Sequence, residues 1–511
     1  MNRPDSRTGR ATADRPTRRL RAATAVWRGR QPRDIGDRAY LAYAIVLAAL
    51  VLGAPVVRAL WLRLTTDATS AALVSSAAAT TAGTVALTVW AVALFVGRHR
   101  GPAVAAPFLV HVLAGSDLPR RTVFRARVTA AVGVAAVVAA ALAGFVGAAL
   151  ATRGLVDPPA VLDFAVRAAL IGVVAAVCWL FGEARPRTAG AVAVVLLVAA
   201  AAQQVVPVLH GTTWAWFRAA GPVDAVDAVL LVLAVVALAA APWLLDRIDD
   251  ATLAVQAARW DRAIAHAVSL DLTSVAESYQ ALPTVGRRLD AVVGSARLGV
   301  VIVVRDLVGA LRVPGRLASG IVLVAGAGAL VALAAVVPVG GVVLGGLAAA
   351  VLFSGVGAFG RGLQHAALVT TGTPLYGIGD GRLLGLHSLL PTGAALLLTG
   401  GTAVAVGAVV APGALGVVVW GGVALPLVVV AAHLSNALRG PAPLFLTTPV
   451  SSPVGDPMPL VRVLWAMDAP VLAVLAGSAL SAGAAGVGAV VVVIVVLALF
   501  LLVRWVRRAD R

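Results

Sequence analysis

No lysine occurs anywhere in the 511 residues; all 41 basic side chains are arginine. That absence excludes specific chemistry. A G-x-x-x-x-G-K-[ST] loop needs its lysine to reach the β- and γ-phosphates, so the chain cannot hydrolyse ATP in the usual P-loop manner. Kinase-type lysines and Schiff-base catalysis are excluded with it. Cysteine is nearly absent too. Cys178 stands alone, which rules out a disulfide within the chain and leaves no companion thiolate for a metal. The seven histidines, at 99, 111, 210, 266, 365, 387 and 433, are scattered, and no two stand four residues apart. No metal, cofactor or catalytic constellation is found, and the chain reads as a non-enzyme.

Charge is sparse as well, at 13% of residues, while apolar residues make up 60% and the mean hydropathy is +0.96. These values lie outside the range of soluble globular chains. Apolar runs of about 20 residues, each able to cross a hydrocarbon core roughly 30 Å thick, recur from Tyr40 to Val503. The pattern predicts an all-α, polytopic membrane protein. Twelve spans are read at approximately 39–62, 74–97, 129–151, 161–182, 188–208, 223–245, 318–339, 341–360, 388–410, 414–434, 465–484 and 486–504.

The formal charge of +18 does not point to nucleic acid, because arginines accumulate on the cytoplasmic side of membrane proteins. With the N-terminus placed inside, 36 of the 41 arginines fall on the cytoplasmic side. Only Arg58, Arg63, Arg153, Arg167 and Arg218 fall at or beyond the outer interface. Moving one span in or out scrambles the pattern, so it predicts both the orientation and the count. Both termini are expected in the cytoplasm of a multi-pass cell-membrane protein, with no cleaved signal peptide.

The layout divides the chain. Residues 1–38 form a basic N-terminal segment with an interfacial helix around Leu20, Ala23 and Trp27, its first 18 or so residues disordered. A first six-span half covers 39–245, a cytoplasmic amphipathic connector 246–317, a second six-span half 318–504, and a basic tail 505–511. In the connector, Leu253, Ala257, Trp260, Ile264 and Val268 follow a helical period with Arg259, Asp261 and Arg262 flanking, as in a helix lying in the lipid interface. A solvated or bundled cytoplasmic helix is the alternative.

The second inner loop repeats between halves. One copy runs Gly115-Ser116-Asp117-Leu118-Pro119-Arg120-Arg121, then Thr122-Val123-Phe124-Arg125-Ala126-Arg127; the other runs Thr373-Pro374-Leu375-Tyr376-Gly377-Ile378-Gly379-Asp380-Gly381-Arg382, then Leu383-Leu384-Gly385-Leu386-His387. In both, a turn with Gly or Pro and an Asp precedes a basic residue and a short helix leading into a span. Six plus six spans with both ends inside imply two parallel repeats, a pseudo-dimer within one chain.

Ionisable groups within spans are the default functional suspects. Asp163 and Arg167, one helical turn apart, predict a local ion pair near the outer end of span four, with Asp227 near the same vestibule. Glu183 with Arg185 and Arg187 is read as capping the inner end of that span, and Asp468 beside Pro470 as lying near the inner interface. None is placed at mid-bilayer, which counts against a proton-coupled carrier. Between spans five and six, Pro207 and Gly211 break the helix while Trp214, Trp216 and Phe217 seek the interface. A short outer helix, a re-entrant turn or a plain aromatic anchor fits that stretch.

Taken together, these residues resemble the permease subunits of ABC-2-type exporters, in a fused form carrying two permease halves, as in actinobacterial membrane proteins of this kind. The resemblance is carried by Arg305-Asp306-Leu307 with Arg312-Val313-Pro314-Gly315-Arg316 before a first span, by Leu118-Pro119-Arg120-Arg121 with Arg125 and Arg127 after a second span, and by the broken segment at 205–218. It implies that residues of about 108–125 and 366–384 dock cytoplasmic ABC ATPase subunits. Asp117, Leu118, Pro119, Arg120, Arg121, Arg125, Asp380 and Arg382 would then be the coupling residues. It also implies that ATP acts only through that partner, that membrane lipids surround the chain, and that the cargo is amphipathic or lipid-like. The second half departs from the pattern, since Gly377-Ile378-Gly379-Asp380 replaces the Leu-Pro-basic turn. A twelve-span secondary carrier of the major facilitator type is the alternative, followed by a membrane enzyme or a scaffold.

Overall fold

The computed structural model describes residues 53–114, 116, 118–205, 225–268, 297–336, 341–370, 377–440 and 458–509, with isolated positions in 22–50 and 279–294. Backbone polar groups in hydrocarbon must be satisfied within the segment itself, and among the described residues all regular structure is helical. Among the described residues nine helices are long and apolar enough to cross a membrane, or ten if one bent pair counts as a single span. The chain is a multi-pass membrane protein. It falls into two compact units, Met1–Ile264 and Ala265–Arg511.

The first unit contains α1 (Ala54–Leu64), α2 (Asp67–Val74), α3 (Ser76–His99), α4 (Pro107–Ala114), α5 (Arg120–Ala151), α6 (Pro158–Ala184), α7 (Pro186–Val205), α8 (Ala225–Asp246) and α9 (Asp250–Val268) up to Ile264. Proline sets several of these starts. Its fixed φ and missing N–H suit the first helical turn. Pro119 precedes α5, Pro158 and Pro159 open α6, and Pro186 opens α7 one residue beyond the end of α6. At 1.5 Å per residue α5 is about 48 Å long, well beyond a hydrocarbon core of roughly 30 Å, so at least one end of it stands clear of the apolar layer. Val134, Val137 and Leu142 on α5 are all exposed, the face a lipid-embedded helix shows its solvent.

The second unit contains α10 (Leu298–Leu311), α11 (Pro314–Val336), α12 (Gly341–Val356), α13 (Arg361–Val369), α14 (Asp380–Ala395), α15 (Gly401–Val410), α16 (Leu415–Ala437), α17 (Met458–Ser481) and α18 (Val487–Ala509). A π-helical turn, Leu396–Gly400, joins α14 to α15 in one continuous apolar run. Thr399 in that turn is fully buried and donates to the Val324 carbonyl at 3.1 Å, tying it to α11. The core interlocks Val324 and Ala327 with Ala348 and Leu352, Leu425 and Val429, and Ala473 and Ala476. Backbones meet where side chains are absent: a Cβ on Gly477 of α17 would strike the Gly345 carbonyl of α12. Small residues at such crossings are the usual device for close helix approach in membranes.

Nine of the twelve spans read from sequence coincide with helices long and apolar enough to cross a membrane, and a tenth, 341–360, falls on the bent pair. The span at 188–208 falls on α7, whose apolar part, Pro186–Ala200, is shorter than the others. The span at 39–62 lies mostly outside the described residues, as do the N-terminal helix at Leu20, Ala23 and Trp27, residues 1–18, and the aromatic segment with Trp214, Trp216 and Phe217. The eighth span ends early. After Val356 the axis turns by 69° into α13, across Gly357-Ala358-Phe359-Gly360.

The connector helix also differs from the interfacial expectation. Leu253 and Ala257 of α9 are fully buried and Trp260 packs beside them, against Leu180, Leu244, Leu245 and Ile248 of the first unit. The apolar stripe read as lipid-facing is mostly a core face; Ile264 alone of its central residues is exposed. The stripe keeps the helical period, and its partner is protein.

Candidate functional site

The loop following the second apolar helix has one layout in both units. In the first, α3 ends at His99, a loop leads to the eight-residue α4, and a turn precedes α5. In the second, α12 bends into the nine-residue α13, and a turn precedes α14. In each case the short helix packs its apolar side inward, through Leu109, Val110 and Leu113 in one and Leu363, Ala366 and Ala367 in the other.

The coupling residues expected from sequence sit where these loops meet the long helices. Leu118 is partly buried against the core, and Pro119 starts α5. Arg120 and Arg121 are not free. Arg120 Nη2 donates to Asp250 Oδ1 at 2.6 Å, and the Arg121 backbone N–H donates to Asp246 Oδ1 at 3.1 Å. These contacts tie the start of α5 to the α8–α9 corner. Exposed pairs of this kind contribute little stability, but they occupy the two arginines. Arg125 is exposed one turn further along. Asp117 lies outside the described residues. In the second unit Asp380 occupies the first turn of α14, where its charge favours the helix N-terminus, and Arg382 is exposed beside it. The Trp505 ring of α18 lies near Gly381.

Behind each loop stands a carboxylate that the sequence reading did not place there. In the second unit Asp306 of α10 meets His387 of α14, Oδ2 to Nδ1 at 2.7 Å, with side chains 5% and 3% exposed. A Cβ on Gly362 of α13 would collide with the Asp306 carboxylate, so the glycine makes its seat. In the first unit Glu183 lies behind the loop, 1% exposed. It does not cap the end of α6 with Arg185 and Arg187, which are both exposed. Its Oε2 accepts the Ala103 N–H at 3.0 Å, and Gly101 leaves the space its carboxylate fills. Gln256 of α9 accepts the Gly101 N–H at 2.8 Å and reaches the Gly97 carbonyl. Trp179 donates to the Arg100 carbonyl at 2.6 Å, Arg127 to the Val104 carbonyl at 3.1 Å, and the Arg100 guanidinium lies 3.3 Å over the Trp260 ring. Residues 101–105 are accordingly all buried. Such polar contacts replace the secondary structure that the loop lacks.

Two further charge clusters hold helices together. Arg167 pairs with Asp227 of α8, in a fork with contacts of 2.6 and 2.8 Å, and not with Asp163 on its own helix. Asp468 of α17 receives two arginines, Arg439 just past α16 at 2.6 Å and Arg504 of α18. Arg504 also donates to the Ser435 carbonyl at 2.8 Å. Among the described residues no group of three or more His, Cys, Asp and Glu could hold a metal ion.

Sequence separation hid all four buried partnerships. Arg167 and Asp227 are 60 residues apart, His387 and Asp306 81, Glu183 and Ala103 80, and Arg504 and Asp468 36. No motif spacing links them; the only available signal was that each is an ionisable group in or beside an apolar run. No family model, no curated protein and no solved structure matches the chain.

Proposed function

We propose that the protein is the membrane permease of an exporter driven by a separate ATPase, whose subunits dock on the loops before α5 and α14. The observation that carries this reading is the repeated layout: a short helix, a turn and an exposed arginine at the head of a long membrane helix, once per unit. A rigid helix transmits a push at its end along its whole length. Both α5 and the α14–α15 run extend for more than 30 residues from such a loop. The missing lysine requires the ATP hydrolysis to occur on another polypeptide. The lipid-like cargo, the cell membrane and the cytoplasmic placement of both loops belong to the same proposal. So do the clustering of arginines on one side and the six-plus-six pseudo-dimer with both termini inside.

Charge reversal tests it. Arg125→Glu and Arg382→Glu remove exposed charge, whereas reversing Arg120 or Arg121 would also break their contacts with Asp250 and Asp246. The expected outcome is that an ATPase co-purifies with the native chain and is lost from the double variant, while the yield of folded chain is unchanged. No ATPase in either sample refutes the reading.

One observation favours a second reading, a carrier coupled to protons. Glu183 is a buried acid at the end of an apolar helix, the kind of group such carriers use. Cargo movement that persists in ATP-depleted vesicles under a proton gradient would establish it in place of the first.

A further inference from the structure

Glu183 is chemically out of place. Its side chain is buried, its Oε2 has the single Ala103 N–H, and no donor among the described residues reaches its Oε1. No arginine or histidine forms an ion pair with it among the described residues. The charged groups on the elements around it are directed elsewhere. On α3, Arg98 lies along Gly190 of α7 and over the Phe95 ring, and His99 stacks edge-on against Phe95. Arg100 of the loop covers Trp260, and Arg127 of α5 holds the Val104 carbonyl. At the end of α8, Asp246 takes Arg121, and Arg247 just past it covers Trp243. Arg185 and Arg187, beyond the end of α6, are exposed; α9 presents neutral Gln256 to the loop, with Arg259 partly exposed one turn on.

An ionised carboxylate taken from water needs a counter-charge or a full set of donors; otherwise the group neutralises. The second unit shows the paired solution behind its own loop, where Asp306, seated on Gly362, has His387 beside it. Glu183, seated on Gly101, has one amide. We propose that Glu183 is a proton-binding site: the folded chain holds it as the neutral acid, and the proton keeps the buried loop at 101–105 and helix α9 in place. The step is the simple exchange of one proton with water. Loss of the proton puts an unpaired negative charge among Gly101, Ala103 and Gln256. That charge is relieved only by opening the loop and admitting water, which loosens α9 through Gln256. The inference stands whichever energy source drives the protein.

The sequence makes the site unusually easy to observe, because Glu183 and Glu277 are the only two glutamates in the chain. Chain carrying ¹³C-labelled glutamate carboxyl groups, in lipid nanodiscs, is titrated by carbon NMR with Glu277→Gln present to leave one signal. The expected result is a protonated carboxyl at neutral pH that vanishes in Glu183→Gln and is insensitive to added sodium or potassium. Hydrogen exchange of the α9 amides should rise with pH in the wild type more steeply than in Glu183→Gln measured at the same pH. An ionised carboxyl at neutral pH overturns the proposal, whether it titrates like an exposed acid or depends on a bound cation. If Glu183→Gln fails to fold, the labelled wild type alone still gives the protonation state, and Glu183→Asp gives the second exchange profile.

Discussion

Replacing Arg167 by methionine separates the long-range ion pair from the local one that the sequence spacing suggests. In the fold, Arg167 is 7% exposed and forks onto Asp227 of α8 through Nε and Nη2 at 2.6 and 2.8 Å. The Asp227 side chain is 17% exposed, so neither charge is well solvated. Removing one member of such a pair leaves a buried charge without its main partner and costs about 3–5 kcal/mol, whereas replacing both by apolar residues of similar volume is often close to neutral. Arg167→Met and Asp227→Leu should therefore each destabilise by about that amount, and the double variant should lose less than either single one. Asp163→Asn, which changes the neighbour one turn away, should stay within about 0.5 kcal/mol of wild type. The assay is reversible unfolding in mixed micelles, followed by tryptophan fluorescence, for all four variants. The reasoning fails if the two single changes add in the double variant, or if Asp163→Asn matches Asp227→Leu.

Three further outcomes follow from the packing and from the other charge clusters. Gly97→Ala places a Cβ against the Trp179 carbonyl and Gly182 of α6 and should sharply reduce the folded yield, while Gly133→Ala, which meets open space on α5, should leave it unchanged or slightly raised; gel-filtration profiles of the detergent-solubilised variants compare them. Asp468→Asn removes the charge that holds Arg439 and Arg504 together and should cost more stability than Arg504→Gln, read as a larger drop in the thermal aggregation midpoint. His387→Ala removes the buried partner of Asp306 and should speed hydrogen exchange in α10 well above the level in α11, whereas equal exchange would show that the contact does not hold α10.

How far these features could be read beforehand depends on the range of the interaction. Apolar helices announce themselves within one window of about 20 residues because the bilayer sets their length, so nine of the twelve spans coincide with helices of spanning length. The helical period of Leu253, Ala257 and Trp260 was equally plain, but period does not say whether lipid or protein covers the stripe; here Leu180 and Leu244 do. The turn after Val356 was missed because a Gly-Ala-Phe-Gly stretch continues an apolar run without a proline to mark the bend. Among the coupling residues, Pro119 and Arg120 stand at the head of a long helix as their spacing suggests. Their capture by the α8–α9 corner depended on Asp246 and Asp250, more than 120 residues away. Glu183 is the sharpest case. Beside two arginines in sequence it looks like a solvated helix end, and only the folded path of residues 101–105 over it shows a buried acid.

The central claim is that an ATPase works on the two loops, and site-specific photo-crosslinking in living cells tests it most directly. A benzophenone side chain is placed in turn at the exposed positions of Arg125 and Arg382, with Val137 on the lipid-facing side of α5 as the control. The account predicts crosslinks from both loop positions to one nucleotide-hydrolysing protein and none from Val137. Crosslinks from Arg125 and Arg382 to lipid alone, or to no ATPase, would contradict it.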